Sequence, residues 1–376
     1  MNQFDFCALS VFFMCLLFVK EFLPAGRQIN TKNTKIYKKF IKRVHSETLS
    51  FLSAGIFFTF FFSSHVFSEE RAEERKNRSE NQINLLEKIS NDSLGFFQPS
   101  PTLDKSRVRL VSYTAVGLYP VSMYWLYTQW YKNYPQSSFH FFNDEGEWLQ
   151  MDKGGHMLDS YTIGKVGFRA MLWAGMERKK SIWYGAGIGL AFQTTLEVFD
   201  GFSSQWGFSV TDMAANAIGS SVFISQQLAW NEQRFQLKYS FHQSEYAKYR
   251  PNELGSNLPE NILKDYNGLT YWLTVNPHSF MKQESKFPRW LSFAFGYGAE
   301  GLLGGYSNPV VVNGKVIPVF DRYRQYYLSL DFDLSRIKTR SRFLSGMFKV
   351  INFIRLPAPA IEFNNGHKTK FYAFYF

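Results

Sequence analysis

Three short polar clusters lie at the ends of apolar segments in an aromatic-rich chain. Asp152, Lys153 and His156 open the stretch "MDKGGHMLDSYTIGKVGF"; Glu197 and Asp200 close "TTLEVFDG"; Ser209, Asp212 and Asn216 begin "SVTDMAANAIG". Asp152 and His156 are four apart and share a helix face, with Ser160 one turn further. One histidine among several carboxylates supports three kinds of chemistry. The groups could form a structural polar network. Asp152, His156, Glu197, Asp200 and Asp212 could hold a hard or borderline divalent cation. His156, Glu197 and Asp212 could instead form an acid–base site. Carboxylates buried against one another are costly unless a cation or a proton offsets them. Each residue also has a plainer reading. Ser209 caps a helix whose third residue is Asp212, Asp152 caps the second helix and favours its dipole, and Lys153 is a surface or interface charge. Gly154 and Gly155 allow a close approach.

The elements that must position these clusters are four apolar segments. The first, "LVSYTAVGLYPVSMYWLYTQWY" (110–131), carries no charge and is long enough to cross a bilayer, with Pro120 as a kink. The second runs from Met151 to Met176, the third ends near Asp200, and the fourth starts near Ser209. Gly185 with Gly189, and Ala215 with Gly219, are four apart and let helices approach closely. In an antiparallel bundle, the end of the third helix, the start of the fourth and the start of the second meet at one end. "GAGIG" at 185–189 falls inside an apolar helix and reads as packing rather than a phosphate loop.

After Trp230 the period changes from 3.6 to 2. Phe235, Leu237, Tyr239 and Phe241 alternate with polar residues, as do Leu291, Phe293, Phe295 and Tyr297, and then Tyr326, Leu328, Leu330, Phe332 and Leu334. Asn313–Gly314 marks a two-residue hairpin, "IEFNNGHKTKFYAFYF" a last hairpin, and "RSRFLSGMFKVINFI" a helix between strands. The last strand sets Tyr372, Phe374 and Phe376 on one side. The expected fold is α+β: a membrane-associated four-helix unit over 107–230, then an antiparallel β-rich region over 231–376, with a partial or small barrel carrying a helical plug as an alternative.

Composition bounds the rest. Forty Phe and 21 Tyr among 376 residues suit a large core or a membrane interface. A basic stretch "KIYKKFIKRVHS", the apolar "LSFLSAGIFFTFFF" and "SSHVFSEE" have the order of a secretory signal peptide, with Val66 and Ser68 before the cut and Glu69 as the new terminus. The first ~30 residues then read as a misassigned start or a dispensable extension, 1–68 as removed, and 69–106 as a polar tether. Loss of 8 basic and 3 acidic residues lowers the formal charge from +11 to +6. That suits an anionic envelope surface, and no nucleic-acid-binding pattern accompanies it. Cys7 and Cys15 fall in the lost region, leaving no disulfide or thiolate site. P-loop, G-x-S-x-G and H-E-x-x-H patterns are absent.

The order D-K-x-x-H, E-x-x-D, then G-F-S-x-x-D-x-x-x-N resembles the YfiM-like family of predicted periplasmic lipoproteins of unknown function, and more distantly the VanZ-like membrane domain. It is carried by Asp152, Lys153, His156, Glu197, Asp200, Gly207, Phe208, Ser209, Asp212 and Asn216, across roughly 148–228. The chain departs from the lipoprotein members in lacking a lipid-attachment Cys, since "VFFMC" has no small residues before it. The resemblance implies an exported cell-envelope protein at the outer membrane or periplasmic face, with the inner membrane as an alternative. Membrane lipid and other envelope proteins are its expected partners.

Overall fold

The computed structural model describes residues 99–132, 134–282, 284–364, 366 and 368–376. The expected signal peptide, the tether up to residue 98, both cysteines and His367 lie outside the described residues. The described residues fall into two compact units, one of 128–171 with 177–376 and one of 99–127 with 172–176. The smaller contains α1 (Lys105–Leu126), begun by Asp104, whose carboxylate accepts from the backbone of Ser106 and Arg107. Pro120 lies inside it.

No helix among the described residues is long and apolar enough to cross a membrane. That corrects the reading of 110–131 as a bilayer-crossing segment, and with it the transmembrane helix. The stretch divides into α1 and a π-helical turn, Tyr127–Tyr131. Its five tyrosines, with Ser and Thr, dilute the hydropathy although no residue is charged.

The larger unit contains α2 (Met151–Trp173) as far as Met171, α3 (Arg178–Gly201) and α4 (Val210–Trp230). Glycine lets them touch backbone to backbone. A Cβ on Gly185 would meet Gly164 O at 2.5 Å, one on Gly189 Ser160 O at 2.6 Å, and one on Gly219 Met157 O at 2.1 Å. Tyr161, Ile182 and Phe223 fill the space left between.

The strands are β1 (Phe235–Phe241), β2 (Leu269–Val275), β3 (Leu291–Glu300), the hairpin β4–β5 (Val311–Val312 and Lys315–Val316), β6 (Tyr323–Phe332), β7 (Ala358–Asn364) and β8 (Lys370–Tyr375). Six form one antiparallel sheet in the order β1-β2-β3-β6-β7-β8. It is open, not a closed barrel. The free edge of β1 is covered by the chain entering β7: Tyr239 N donates to Phe353 O at 3.1 Å and Arg355 N to Tyr239 O at 2.8 Å. Asn313 and Gly314 turn the small hairpin with φ of 50° and 75°. The helix expected over 340–354 is α5 (Arg342–Ile351).

The alternation along the strands has an unusual sense. Gln236, Lys238 and Ser240 of β1, and Gln325, Tyr327 and Asp331 of β6, face inward and are buried. Phe293, Phe295, Tyr326 and Leu328 are exposed. At the inner face Thr270 and Tyr375 bring their hydroxyl oxygens to 3.0 Å, so the sheet curls until β8 meets β2. The last strand departs from simple alternation. Ala358 pairs with Tyr375 but Ala360 with Tyr372, a bulge in β8. Tyr372 therefore packs inward with Tyr375, while Phe374 and Phe376 are exposed.

Candidate functional site

The polar clusters converge at one end of the helical layer because α3 runs into α4 through a short turn and α2 starts beside both. What starts α2 is unexpected. Trp148, Leu149 and Gln150 take φ of 49°, 52° and 64°, three successive left-handed residues without a glycine. Such a run is strained and needs partners to hold it. Trp148 N donates to Gly305 O at 2.8 Å, the Tyr297 hydroxyl donates to Leu149 O, and Arg324 donates to the Gln150 side chain at 2.6 Å. β3 and β6 thus set the angle at which α2 presents its first turn.

In that turn Lys153 is not a surface charge. Its Nζ lies 2.8 Å from Asp144 Oδ2, 2.7 Å from Asp212 Oδ1 and 3.4 Å from Asp152 Oδ2, and its side chain is 14% exposed. Glycine at 154 makes room for the Tyr271 ring, which a Cβ would meet at 2.5 Å. Asp152 lies within the first turn of α2 rather than capping it, and accepts from the Tyr266 hydroxyl at 2.7 Å. His156 faces carboxylates on both sides: Nδ1 is 3.5 Å from Glu197 Oε1, and Nε2 is 3.8 Å from Asp152 Oδ1 and 3.9 Å from Asp212 Oδ2. These are charge contacts, longer than direct hydrogen bonds.

Glu197 is fully buried near the end of α3 and accepts from Ser209 N at 3.2 Å. Asp200, a turn on, accepts from the Tyr131 hydroxyl at 2.8 Å. Ser209 is the cap of α4, accepting from Asp212 N at 3.0 Å, and its hydroxyl donates to Asp144 Oδ1 at 2.6 Å. Thr211 donates to the same oxygen at 2.7 Å. Asn216 is fully buried, and its side-chain amide has no hydrogen-bond partner among the described residues. Ser160 pairs with Ser220 at 2.6 Å and ties α2 to α4. All five acidic or imidazole groups singled out in the sequence therefore reach one place. Asp144, Tyr131 and Tyr266 were missed: each lies outside the spaced clusters and arrives only through tertiary folding. A carboxylate in the loop "NDEGEW" carries no periodic signal.

The electrostatics follow from an excess of acid. Burial pushes Glu197 up to about 8, Asp212 and Asp200 adding to the rise against His156. Burial likewise raises Asp200 to about 7, although the Tyr131 hydrogen bond opposes it. Asp212 is raised by burial and then by Asp152 and its contact with Asp144. Burial would raise Asp144 too, but hydrogen bonds from Asp212, Lys153, Ser209 and Thr211 outweigh it and hold Asp144 below the usual carboxylate range. His156 is raised: burial disfavours its charge, and Asp152, Glu197 and Asp200 more than restore it. Asp152, His156 and Asp212 each offer one ligand atom within 4.8 Å of the others.

Fold and site together define an α+β protein with an acid-rich cluster at the mouth of a three-helix layer. Residues 140–226 match the family described as predicted periplasmic lipoprotein (DUF2279). That span takes in every helix-mouth residue from Asp144 to Asn216. No curated protein and no solved structure matches the chain. Export to the cell envelope, on its periplasmic face, accords with the family's description.

Proposed function

We propose that this chain is an exported envelope protein with a structural and interaction role, its helical layer locked by carboxylates that Lys153 and His156 neutralise. The observation that carries the reading is the position of the Lys153 ammonium, 2.8 Å from Asp144 and 2.7 Å from Asp212. It supplies the positive charge that buried carboxylates require. The likeness to the YfiM-like and VanZ-like families rests on the ten residues quoted above and supports an envelope setting without adding an activity. Other envelope proteins are the partners such a role implies. Replacing His156 or Glu197 by Ala removes one neutralising or anchoring group and is expected to lower both abundance in the envelope and the unfolding midpoint. Normal abundance and midpoint in both variants would overturn the structural role.

One observation favours a second reading. The ligand atoms of Asp152, His156 and Asp212 are mutually within 4.8 Å, and a modest closing of the side chains brings them under the about 4.2 Å that separates two groups each about 2.1 Å from a shared cation. On that reading the three bind a divalent ion, with Glu197 and Asp200 outside the first ligands. His156 and Glu197 would then serve a binder or acid–base enzyme acting on envelope lipid or glycan. Its signature is a folded, abundant His156→Ala protein that has lost metal.

A further inference from the structure

The sheet leaves an apolar surface that the helix-mouth cluster does not involve. Strand register lines up Leu273, Phe295, Leu328, Ile361 and Phe371 as one row across β2, β3, β6, β7 and β8. Each is between 39% and 70% exposed. Phe293 with Leu330 forms a second exposed row on one side of it, and Tyr326 with Phe363 a third on the other. Beneath this surface the sheet's other face is buried and mixed: it holds the Lys238–Asp331 ion pair, at 2.7 Å and wholly buried, together with the packed rings of Trp272, Tyr327 and Tyr375. An exposed face more uniformly apolar than the buried one is the inverse of an ordinary sheet packed on a core, and is the arrangement of β-structure facing lipid.

Charge indicates what covers the surface. The row of Phe293 and Leu330 lies toward the end where β3 begins and β6 finishes, and two loops there, 281–290 and 335–341, flank the exposed face. They expose Lys282, Lys286, Arg289, Lys338 and Arg340 against one acid, Glu284. Trp290, exposed and stacked on Phe332, lies at the same border. Aromatic and basic residues at one rim of an apolar band suit an anionic headgroup layer. A second copy of this chain would bring like charges to that rim. The height of the band limits the depth. From Tyr326 to Leu330 is four residues, about 14 Å of extended chain, roughly one leaflet of a hydrocarbon core about 30 Å thick.

We infer that the exposed face of β3, β6, β7 and β8 seats in a single leaflet of an anionic bilayer, with the 281–290 and 335–341 loops at the headgroups. The inference is independent of the role of the helix-mouth cluster. In the uncleaved full chain the apolar stretch "LSFLSAGIFFTFFF" is able to hold the protein to vesicles unaided, so the readout must be at the sheet. The full chain, with Cys7→Ser and Cys15→Ser, would carry one fluorophore-labelled cysteine at Leu328 or, as a water-exposed control, at Val319, which is 90% exposed. Vesicles of phosphatidylglycerol and phosphatidylethanolamine with nitroxide-labelled acyl chains are expected to quench the label at 328 several-fold more than that at 319. The difference should vanish in phosphatidylcholine vesicles and in a Lys286→Glu, Lys338→Glu, Arg340→Glu variant whose unfolding midpoint is unchanged. Equal quenching at both positions would overturn the inference. So would a dimer in solution that already shields the label at 328 before vesicles are added.

Discussion

Two of the places where the described residues bury ionic groups treat them differently. Inside the sheet, Lys238 meets one carboxylate, Asp331, at 2.7 Å, and its remaining protons go to Phe332 O and Asn352 Oδ1, both at 3.2 Å. Asn352 in turn donates to Gln236, and Gln236 to Asp333. Charge and hydrogen bonds are matched nearly one to one. At the helix mouth one lysine and one histidine face Asp144, Asp152, Glu197, Asp200 and Asp212, and the balance must come from protons or from an added cation. A matched pair fixes geometry under any condition in which both partners stay charged. An unmatched cluster responds to pH, and that makes it the more informative region.

The largest expected effects come from removing the lysine from either region. Lys238→Met and Lys153→Met each strand carboxylates away from water, and each should cost about 3–5 kcal/mol of unfolding free energy, read by chemical denaturation. The next experiment separates the regions. Adding Asp331→Leu to Lys238→Met removes the stranded charge and should restore most of the loss. Adding Asp212→Leu to Lys153→Met should not, because Asp144 and Asp152 remain. Equal rescue in both would erase the distinction.

The pH dependence is expected from the helix mouth. Glu197 and Asp200, raised to about 8 and about 7 from ordinary values of 4.5 and 3.8, keep protons that the unfolded chain has lost. Their contribution is present at low pH and fades as pH rises toward 8. His156, also raised, stabilises below its ordinary 6.5 and loses that contribution on the alkaline side. All three act in one direction, so stability should fall between about pH 5 and 8 by about 1 kcal/mol per unit for each titrating group. Glu197→Gln should flatten the slope, and a slope unchanged by it would contradict the assignment. The smallest effect expected is that of Ser209→Ala, about 1 kcal/mol for a lost helix cap, with a modest excess from its bond to Asp144.

Much of this was legible before folding. Helical spacing located the polar clusters on α2, α3 and α4, and Gly185, Gly189 and Gly219 marked the contacts that bring those helices together. Alternation found β1, β3 and β6, and Asn313–Gly314 the small hairpin. Three things were hidden. "LTYWLTV" forms β2, but its aromatic and β-branched residues occupy both faces and mask the period of two. Alternation says which residues share a face and not which face is buried, so the inversion of the sheet could not be read. Lys153 read as a surface or interface charge, and its place among buried carboxylates was hidden because its partner Asp144 comes from a loop with no pattern of its own.

The central claim, that Lys153, His156 and protons neutralise the helix-mouth carboxylates, is tested most directly by elemental mass spectrometry of the purified protein beside His156→Ala. The account predicts no stoichiometric divalent metal in either protein and a lower unfolding midpoint in the variant. Near-stoichiometric metal in the wild type, lost from a variant that folds normally, would contradict it and make the cluster a cation site.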